Sequence, residues 1–361
     1  MKYLFIIQGE GRGHLTQAMT MEKLLHSRGH EVVEMLVGKS ESRTLPAFFT
    51  EGVNAPITYF ESVNFVSAAQ DKRPDALKTV LFNLAMSPKF IPSISLIRNH
   101  IKDSGADVVV NFYEILGTIA HGLTGRKVPM VCIGHQFLFL HKDMHIPEFG
   151  YEGHIALNLF SRAIATGSEK VLALSFRQMP HDGKIRVVPP LLRPEVLAYR
   201  NSPDFKDGDY ILGYMLNAGF AEEVNSWHKA HPSVPLRFFW DNAAEAPVKV
   251  VDDTLSFYYL DDKEFLRQMA GCRAYASTAG FESICEAMYL GKPLMMVPSH
   301  IEQKCNAYDA TRESAAIESD VFDLSVLLDF AENGRFHRDE KFPDWALSAA
   351  EVIVNELETL V

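Results

Sequence analysis

Short apolar runs alternate with amphipathic stretches along most of the chain. The first run, Tyr3–Ile7, leads through a glycine-rich turn into a helical stretch near Leu15–Arg28, and a second run follows at Glu31–Val37. This βαβ rhythm predicts a parallel, doubly wound sheet. The segment 74–102 reads as largely helical, with breaks at Pro88 and Pro92. Further strands are predicted at 107–111, 129–133, 210–216, 236–240, 255–260, 273–276 and 294–297.

The stretch between Val188 and Asp209 interrupts this rhythm with four prolines and weak periodicity, which predicts a linker. A chain of 361 residues has room for two ordinary α/β domains. We expect one domain over residues 1–195, a second over 205–344, and a C-terminal helix, 345–361, that packs back toward the first domain. Two Rossmann-like domains facing an interdomain cleft would bind ligands at the carboxyl ends of their strands.

Composition excludes several classes of protein. The formal net charge of −11 disfavours a broad nucleic-acid surface. The four cysteines show no CxxC spacing, which points to neither a zinc site nor a disulfide framework and fits a reducing cytoplasm. Because no apolar stretch approaches the roughly 18 residues of a membrane span, we expect at most peripheral contact, at the inner membrane face.

The densest group of candidate functional residues follows a predicted strand in the C-terminal half. A turn with Gly280 opens a helix there, and the N–H groups of a helix start attract phosphate. Ser283 adds a hydroxyl, and Glu286 lies three residues later on nearly the same helix face. Its carboxylate is an acceptor that suits the two hydroxyls of a ribose. Glu302 and Gln303 follow the next strand, where side chains could contact sugar hydroxyls.

In this order and spacing, residues 278–307 resemble the donor-binding signature of UDP-sugar glycosyltransferases with the GT-B fold, families 1 and 28. The resemblance implies a set of donor-binding residues: Thr278, Gly280 and Ser283 at the pyrophosphate, Glu286 at the ribose, and Glu302 with Gln303 at the sugar.

Two positions depart from the plant-type pattern: Thr278 stands in place of a phosphate-binding histidine, and Glu282 in place of asparagine. The donor therefore need not be UDP-glucose. The resemblance implies inverting transfer without a metal or other cofactor, because backbone N–H groups and the helix dipole stabilise the departing diphosphate. The acceptor would be a glycan, a lipid-linked molecule or a small molecule.

The glycine-rich turn Gly9–His14 is the second motif. A dinucleotide-binding fingerprint needs glycine where His14 stands and an acid after the second strand, where Lys39 lies, so NAD is disfavoured. The turn resembles the G-x-G-x-G-H start of GT-B glycosyltransferases. That resemblance implies that Gly11 and Gly13 line the acceptor cleft and that His14 is the general base. The alternative is a histidine that only caps the helix.

Plant-type enzymes orient this histidine with an aspartate, and Asn111 occupies the corresponding position here. We expect Glu114 to substitute for the aspartate as a second catalytic residue. His135, at the end of another strand, is a further candidate for the cleft, although a lone histidine in such a place is more often structural.

Three alternatives stay open from sequence. Asp207-Gly208-Asp209 has the DxD form that holds a metal in other glycosyltransferases, but it lies in the predicted linker and reads better as a turn. A UDP-sugar 2-epimerase of the same fold would need further acids that the sequence does not locate. A nucleotide-sugar-binding subunit without activity would suit an intact donor signature beside an altered histidine–acid pair.

Overall fold

The computed structural model describes residues 1–40, 44–62, 88–146, 151–200, 202, 206–215, 218–240 and 246–360. These residues form two compact units. Unit 1 holds the residues before Leu192 together with those from Trp345 onward, and unit 2 holds Leu192–Asp344. The boundary near Leu192 lies inside the stretch that the sequence predicts as a linker.

Unit 1 is built on a parallel sheet of seven strands in the order β3-β2-β1-β4-β5-β6-β7. The strands are β1 (Lys2–Gln8), β2 (Glu31–Lys39), β3 (Ile57–Glu61), β4 (Val108–Phe112), β5 (Met130–Gly134), β6 (Lys170–Leu174) and β7 (Ile185–Val188). The helices between them are α1 (Arg12–Ser27), α2 (Ala47–Thr50), α3 (Ile91–Asp103), α4 (Ile115–Gly122) and α5 (Tyr151–Ile164), with 3-10 turns at Pro88–Phe90 and His135–Leu140.

Unit 2 repeats this architecture with the strand order β10-β11-β9-β8-β12-β13-β14, and only β10 runs antiparallel to its neighbour. The strands are β8 (Ile211–Met215), β9 (Leu236–Trp240), β10 (Val248–Val250), β11 (Leu255–Tyr259), β12 (Ala274–Ser277), β13 (Leu294–Met296) and β14 (Ala316–Glu318). The helices are α6 (Pro194–Arg200), α7 (Ala221–Ala230), α8 (Asp262–Gly271), α9 (Phe281–Tyr289), α10 (Ile301–Thr311) and α11 (Leu324–Glu332), with a 3-10 turn at Ala218–Phe220.

The C-terminal segment returns to unit 1. Helix α12 (Phe342–Leu347) contains the boundary between the units and is followed by α13 (Ala349–Glu358). Trp345 donates its indole N–H to the Ser175 carbonyl at 3.0 Å, and Glu356 pairs with Lys170 at 2.7 Å. No helix among the described residues is both long enough and apolar enough to span a membrane.

The strand order places one topological switch point in each sheet. Strands are added on one side of β1 up to β3 and then on the other side from β4, so the switch lies between β1 and β4. In unit 2 it lies between β8 and β12 for the same reason. Ligands of doubly wound sheets bind at the carboxyl ends of the strands at this point. The residues that follow β1, β4 and β12 therefore form the places where function is expected.

The main strands of both sheets lie where the sequence predicts them, because their central residues are apolar and buried. Five strands, β3, β6, β7, β10 and β14, are not among the predicted ones, and three further details differ. The predicted linker contains the helix α6, Pro92 lies at the start of α3 rather than breaking it, and the C-terminal helix is divided near Ser348. Residues 74–87 of the predicted helical segment lie outside the described residues.

Candidate functional site

In unit 2, a tight turn joins β12 to α9 at the switch point. Gly280 is the N-cap of α9, and no side chain caps this helix start. Ala279, one residue earlier, is buried and has a left-handed backbone with φ of 60°, which is unusual for a residue that carries a side chain. The amide of Asn306 in α10 donates to the Ala279 carbonyl at 3.0 Å and braces the turn. Such a helix start offers its backbone N–H groups and the positive end of the dipole to an anion.

Glycine is not required at position 280 by the backbone. The residue has φ of −71° and ψ of 132°, a region open to any amino acid. A methyl group added there would meet only the Ser283 hydroxyl, at an ordinary contact distance of 3.7 Å. A glycine at a position that would accept alanine leaves room at the helix start for another molecule to approach the backbone.

Thr278 and Ser283 bring hydroxyl groups to the same turn. The Thr278 side chain is fully buried, and its Oγ1 has no hydrogen-bond partner within the described part of the chain. Such an atom is costly to leave unsatisfied. Ser283 is half-buried and donates to the Gly280 carbonyl at 3.1 Å. Thr278 and Ser283 thus add two hydroxyls to the segment that contains the helix start.

Glu302 and Gln303 lie in the first turn of α10, after β13, which pairs with β12 in parallel. The two strands thus place their following turns at the same edge of the sheet. Glu302 is half-buried. Gln303 is buried, and its side-chain oxygen accepts from the backbone N–H and the hydroxyl of Ser299 at 2.9 and 2.8 Å. The Gln303 Nε2 makes no hydrogen bond within the described residues and stays available as a donor.

Glu286 has a partner that the sequence does not predict. Its two carboxylate oxygens accept from Nε and Nη2 of Arg193 at 2.6 and 2.7 Å, while Nη1 of Arg193 bonds Asp262. Arg193 and Glu286 are both buried. Burial raises the pKa of the Glu286 carboxyl above its ordinary value, and the charge and hydrogen bonds of Arg193 oppose that rise. The role of Glu286 at the ribose stays a prediction, since the visible contacts of its carboxylate are with Arg193.

The DxD stretch takes part in a structural ion pair of unit 2. Asp207 pairs with Nζ of the buried Lys292, which also donates to the carbonyls of Ala270 and Cys272 at 2.7 and 2.8 Å. One of its two aspartates is therefore already engaged by a buried cation.

In unit 1, His14 lies in the first turn of α1, directly after the turn that follows β1. Gly11 is the N-cap of this helix, its N–H donates to the Gln8 side chain at 3.3 Å, and Gly13 belongs to the same first turn. The His14 ring is half-buried and stacks on Tyr113 with 5.5 Å between ring centroids. Burial lowers the pKa of His14 to about 4, although a hydrogen bond with Gln17 opposes the shift. His14 is therefore a neutral imidazole at physiological pH.

Glu114 is the N-cap of α4 and does not bond His14. Its carboxylate accepts from the Leu116 N–H at 3.0 Å and from the Ser62 hydroxyl at 2.8 Å, and these are its hydrogen bonds within the described residues. Burial raises the pKa of Glu114 to about 7. A direct Glu114–His14 pair, as the sequence suggests, is thus not present. A methyl group on Gly38 would lie 2.6 Å from the Glu114 carboxylate, so glycine in β2 makes room for this side chain.

Asn111 and His135 have structural roles. The amide nitrogen of Asn111 donates to the Glu114 carbonyl at 2.9 Å, and its oxygen accepts from the Glu114 N–H at 2.8 Å. An aspartate could not make both bonds, which explains the departure from the plant-type acid. His135 is buried between Phe139 and Phe176, and it bonds the Leu174 carbonyl at 2.7 Å. Burial lowers the pKa of His135 to about 3.

Sequence reasoning missed Arg193, Asn306 and Tyr113. Arg193 lies in the predicted linker, where its only signal is a single charge after the apolar run Val187–Leu192. Asn306 falls within the thirty residues that carry the donor signature, but its spacing does not reveal that it braces the turn before α9. Tyr113 directly follows a buried strand, and its aromatic side chain suggests a core residue.

Comparison with protein families gives one match that spans most of the chain. Residues 1–333 match the model of glycosyl transferase family 1. Comparison with curated protein sequences found no match.

Solved structures with the same fold match over nearly the whole length. Phytolacca americana UGT2, complexed with UDP-2fluoro-glucose and pterostilbene, is 12% identical, with a TM-score of 0.67 and 99% of each chain covered. Medicago truncatula UGT71G1, complexed with UDP-glucose, is 15% identical, with a TM-score of 0.64, covering 99% of this chain and 98% of that one. Acinetobacter baumannii MurG is 16% identical, with a TM-score of 0.58, covering 99% and 100%. Together with the family match, this shows that the chain has the GT-B fold, belongs to glycosyl transferase family 1 and is a glycosyltransferase.

Proposed function

We propose that the enzyme transfers a sugar from a UDP-sugar to an acceptor hydroxyl, with inversion at the anomeric carbon and without a metal ion. The acceptor oxygen would form its bond to the anomeric carbon as the bond to UDP breaks. The hydroxyl proton would pass to a base, and the electron pair would leave with the diphosphate. The acceptor is a glycan, a lipid-linked molecule or a small molecule.

The turn between β12 and α9 supports the assignment of the UDP-sugar binding site. It combines an uncapped helix start, a glycine that the backbone does not require, and a buried Thr278 hydroxyl without a hydrogen-bond partner in the described part of the chain. An anionic diphosphate would satisfy the N–H groups and the hydroxyl together. Two proteins of the same fold have been solved with UDP-sugars or their analogues, which supports uridine as the base.

Charge on the leaving diphosphate is the feature that a metal ion neutralises in other transferases. Here we assign this role to the backbone N–H groups of α9, its dipole, and the hydroxyls of Thr278 and Ser283. The engagement of Asp207 by Lys292 supports a structural use of the DxD stretch. Chelation with EDTA should therefore leave transfer unchanged, and a loss that manganese or magnesium restores would contradict metal independence.

We assign the base to His14. A neutral imidazole in the first turn after β1 can accept the acceptor's proton, and its stacking on Tyr113 fixes the ring plane. A pKa of about 4 makes His14 a weaker base than one poised near pH 7, but keeps it in the accepting form across the physiological range.

Gly280→Ala tests the donor site directly. Because position 280 accepts a methyl group without a clash, the variant should be as stable as the wild type. The methyl group would crowd a diphosphate at the helix start, and overpacking typically costs about 1–3 kcal/mol, so UDP should bind roughly ten- to hundredfold more weakly. Isothermal titration with UDP measures this.

Gly122→Ala is the matched control. Gly122 ends α4 in unit 1 and has no neighbouring atom within 4 Å of an added methyl group. UDP should bind this variant as it binds the wild type. Equal UDP affinity of Gly280→Ala and wild type would remove the turn before α9 from the donor site.

A further inference from the structure

Arg193 joins three elements of unit 2 through one guanidinium group. It precedes α6, bonds Glu286 in α9 with two N–H groups, and bonds Asp262 at the start of α8 with a third. The side chains of Arg193 and Glu286 are 6% and 2% exposed, whereas that of Asp262 is 23% exposed. The Arg193–Glu286 pair is thus enclosed by protein.

The pairing leaves acceptor capacity on Glu286. Each carboxylate oxygen accepts one hydrogen bond from Arg193, and the Glu286 carboxylate accepts no others within the described residues. A carboxylate oxygen can accept two. The planar fork of the guanidinium also fixes the plane of the carboxylate, which a lysine could not do. Glu286 therefore presents two oriented lone pairs, and it lies three residues after Ser283 on the helix whose start is the proposed diphosphate site.

We propose that Arg193 is a positioning residue, which holds the Glu286 carboxylate in the orientation that accepts the two hydroxyls of the donor's ribose. This inference rests on the proposed function, because it assumes a nucleoside diphosphate on α9. It adds a residue from the segment before α6 to a site that the sequence places wholly within residues 278–307.

Stability alone does not explain the pair. Replacing a buried ion pair with apolar side chains is often neutral or stabilising, because two charges must be removed from water. The buried cation of Lys292, in the same unit, shows what a structural anchor looks like, since two backbone carbonyls and Asp207 surround it. The Glu286 carboxylate receives no backbone N–H within the described residues and accepts only from Arg193.

The test compares ribose with deoxyribose in Arg193→Met, which keeps an unbranched apolar side chain and removes the charge and the N–H groups. UDP and 2′-deoxy-UDP are titrated into wild type and variant. Wild type should prefer UDP. Arg193→Met should bind UDP about ten- to hundredfold more weakly, the range for hydrogen bonds to charged groups, and should weaken the binding of 2′-deoxy-UDP less, because this nucleotide keeps only the 3′-hydroxyl as a donor to Glu286. The ribose preference should therefore fall toward one, and Arg193→Lys should lie between.

Arg200→Met is the matched control. Arg200 ends α6, bonds the Tyr289 carbonyl and lies over the Tyr289 ring at 5.2 Å, so it joins the same two helices without touching Glu286. The ribose preference of Arg200→Met should equal that of the wild type. If Arg193→Met does not fold, the same ratio in Arg193→Lys decides.

Three results would overturn the inference. Equal weakening of both nucleotides in the Arg193 variants would mean that the arginine only supports the fold. Unchanged affinity of the Arg193 variants for both nucleotides would mean that the orientation of the Glu286 carboxylate does not depend on Arg193. Failure of the wild type to bind UDP would instead overturn the proposed donor, and this inference with it, so the two failures are distinguishable.

Discussion

Two buried glutamates, one in each unit, differ in what surrounds their carboxylates. Glu114 and Glu286 are each 1% exposed. Glu114 accepts from a hydroxyl and a backbone N–H, whereas Glu286 accepts twice from a guanidinium. Burial raises the pKa of Glu114 to about 7, while Arg193 opposes the same effect on Glu286. Burial favours the neutral form of a carboxyl, and a charged partner such as Arg193 opposes that shift.

The same contrast extends to the two proposed sites. The ionisable groups near the switch point of unit 1, His14 and Glu114, are shifted by burial toward their neutral forms. A neutral imidazole can accept a proton and a protonated carboxyl can donate one, which suits proton transfer. The site of unit 2 offers backbone dipoles and a carboxylate held by an arginine, which suits binding of a charged nucleotide. We therefore expect variants in unit 1 to change turnover and variants in unit 2 to change affinity.

The largest expected effect belongs to His14→Ala. Removal of a general base typically slows turnover by about a hundred- to ten-thousandfold. UDP affinity should stay within about twofold of wild type, because the proposed donor contacts lie on α9 and α10. Steady-state rates per folded molecule, with titration of UDP, measure both. A turnover rate within a few-fold of wild type would mean that His14 only begins the helix.

The pH profile of the wild type tells the two groups of unit 1 apart. If His14 is the base, the rate should hold down to acid pH and fall as the pH approaches about 4, where the imidazole becomes protonated. A fall centred near pH 7 would instead assign the base to Glu114, whose carboxylate form exists above that value.

Glu286→Leu should have the next largest effect, on stability. Removing the carboxylate leaves the partly exposed Asp262 as the remaining charged partner of the buried Arg193 guanidinium, so we expect a cost of about 3 kcal/mol, at the lower end of the range for a broken buried ion pair. Urea unfolding followed by the emission of Trp227 and Trp240, both in unit 2, reports the loss. The double variant Glu286→Leu, Arg193→Met should recover most of it, because neither charge remains buried. A double variant as unstable as the single would show that packing, and not charge, sets the cost.

Glu114→Gln tests the protonation of Glu114 through the pH dependence of stability. With a folded pKa of about 7 against an ordinary value of 4.5, the folded state holds the proton more tightly than the unfolded state. The stability that protonated Glu114 contributes is fully present below pH 4.5 and is lost as the pH rises to about 7. The loss is on the order of 3 kcal/mol, from about 1.4 kcal/mol for each pKa unit.

Glutamine mimics the protonated acid, because its oxygen can accept from Leu116 and its NH₂ group can donate to the Ser62 hydroxyl. The variant should therefore match wild type in urea melts at pH 4.5 and exceed it at pH 8. If the stability of the two proteins depends on pH in the same way, Glu114 is ionised in the folded state, and its burial in unit 1 does not favour the protonated form.

Local pattern predicts local structure here and fails at contacts between distant residues. Strand β9 lies at the predicted residues, 236–240, because a run of five mostly apolar residues between turn signals is a local feature. Strands β3, β6, β7, β10 and β14 are not predicted, and two of them, β10 and β14, have three residues each, too few to show an alternating pattern. The Arg193–Glu286 pair joins residues 93 apart. The spacing of residues 278–307 indicates the glutamate, but nothing local indicates the arginine that pairs with it.

The smallest expected effect concerns the hydrogen bond from Asn306 that stabilises the turn before α9. Asn306→Ala removes the hydrogen bond to the Ala279 carbonyl, at a cost of about 1 kcal/mol in urea unfolding. The left-handed backbone of Ala279 costs an L-residue about 1–2 kcal/mol, and this bond helps to hold it. In the Ala279→Gly background that strain is absent, so Asn306→Ala should cost less than in the wild type. A coupling of roughly 0.5 kcal/mol or more would be resolvable for residues in direct contact. If Asn306→Ala costs the same in both backgrounds, Asn306 only satisfies a carbonyl, and the shape of the turn at the start of α9 is set by its own residues.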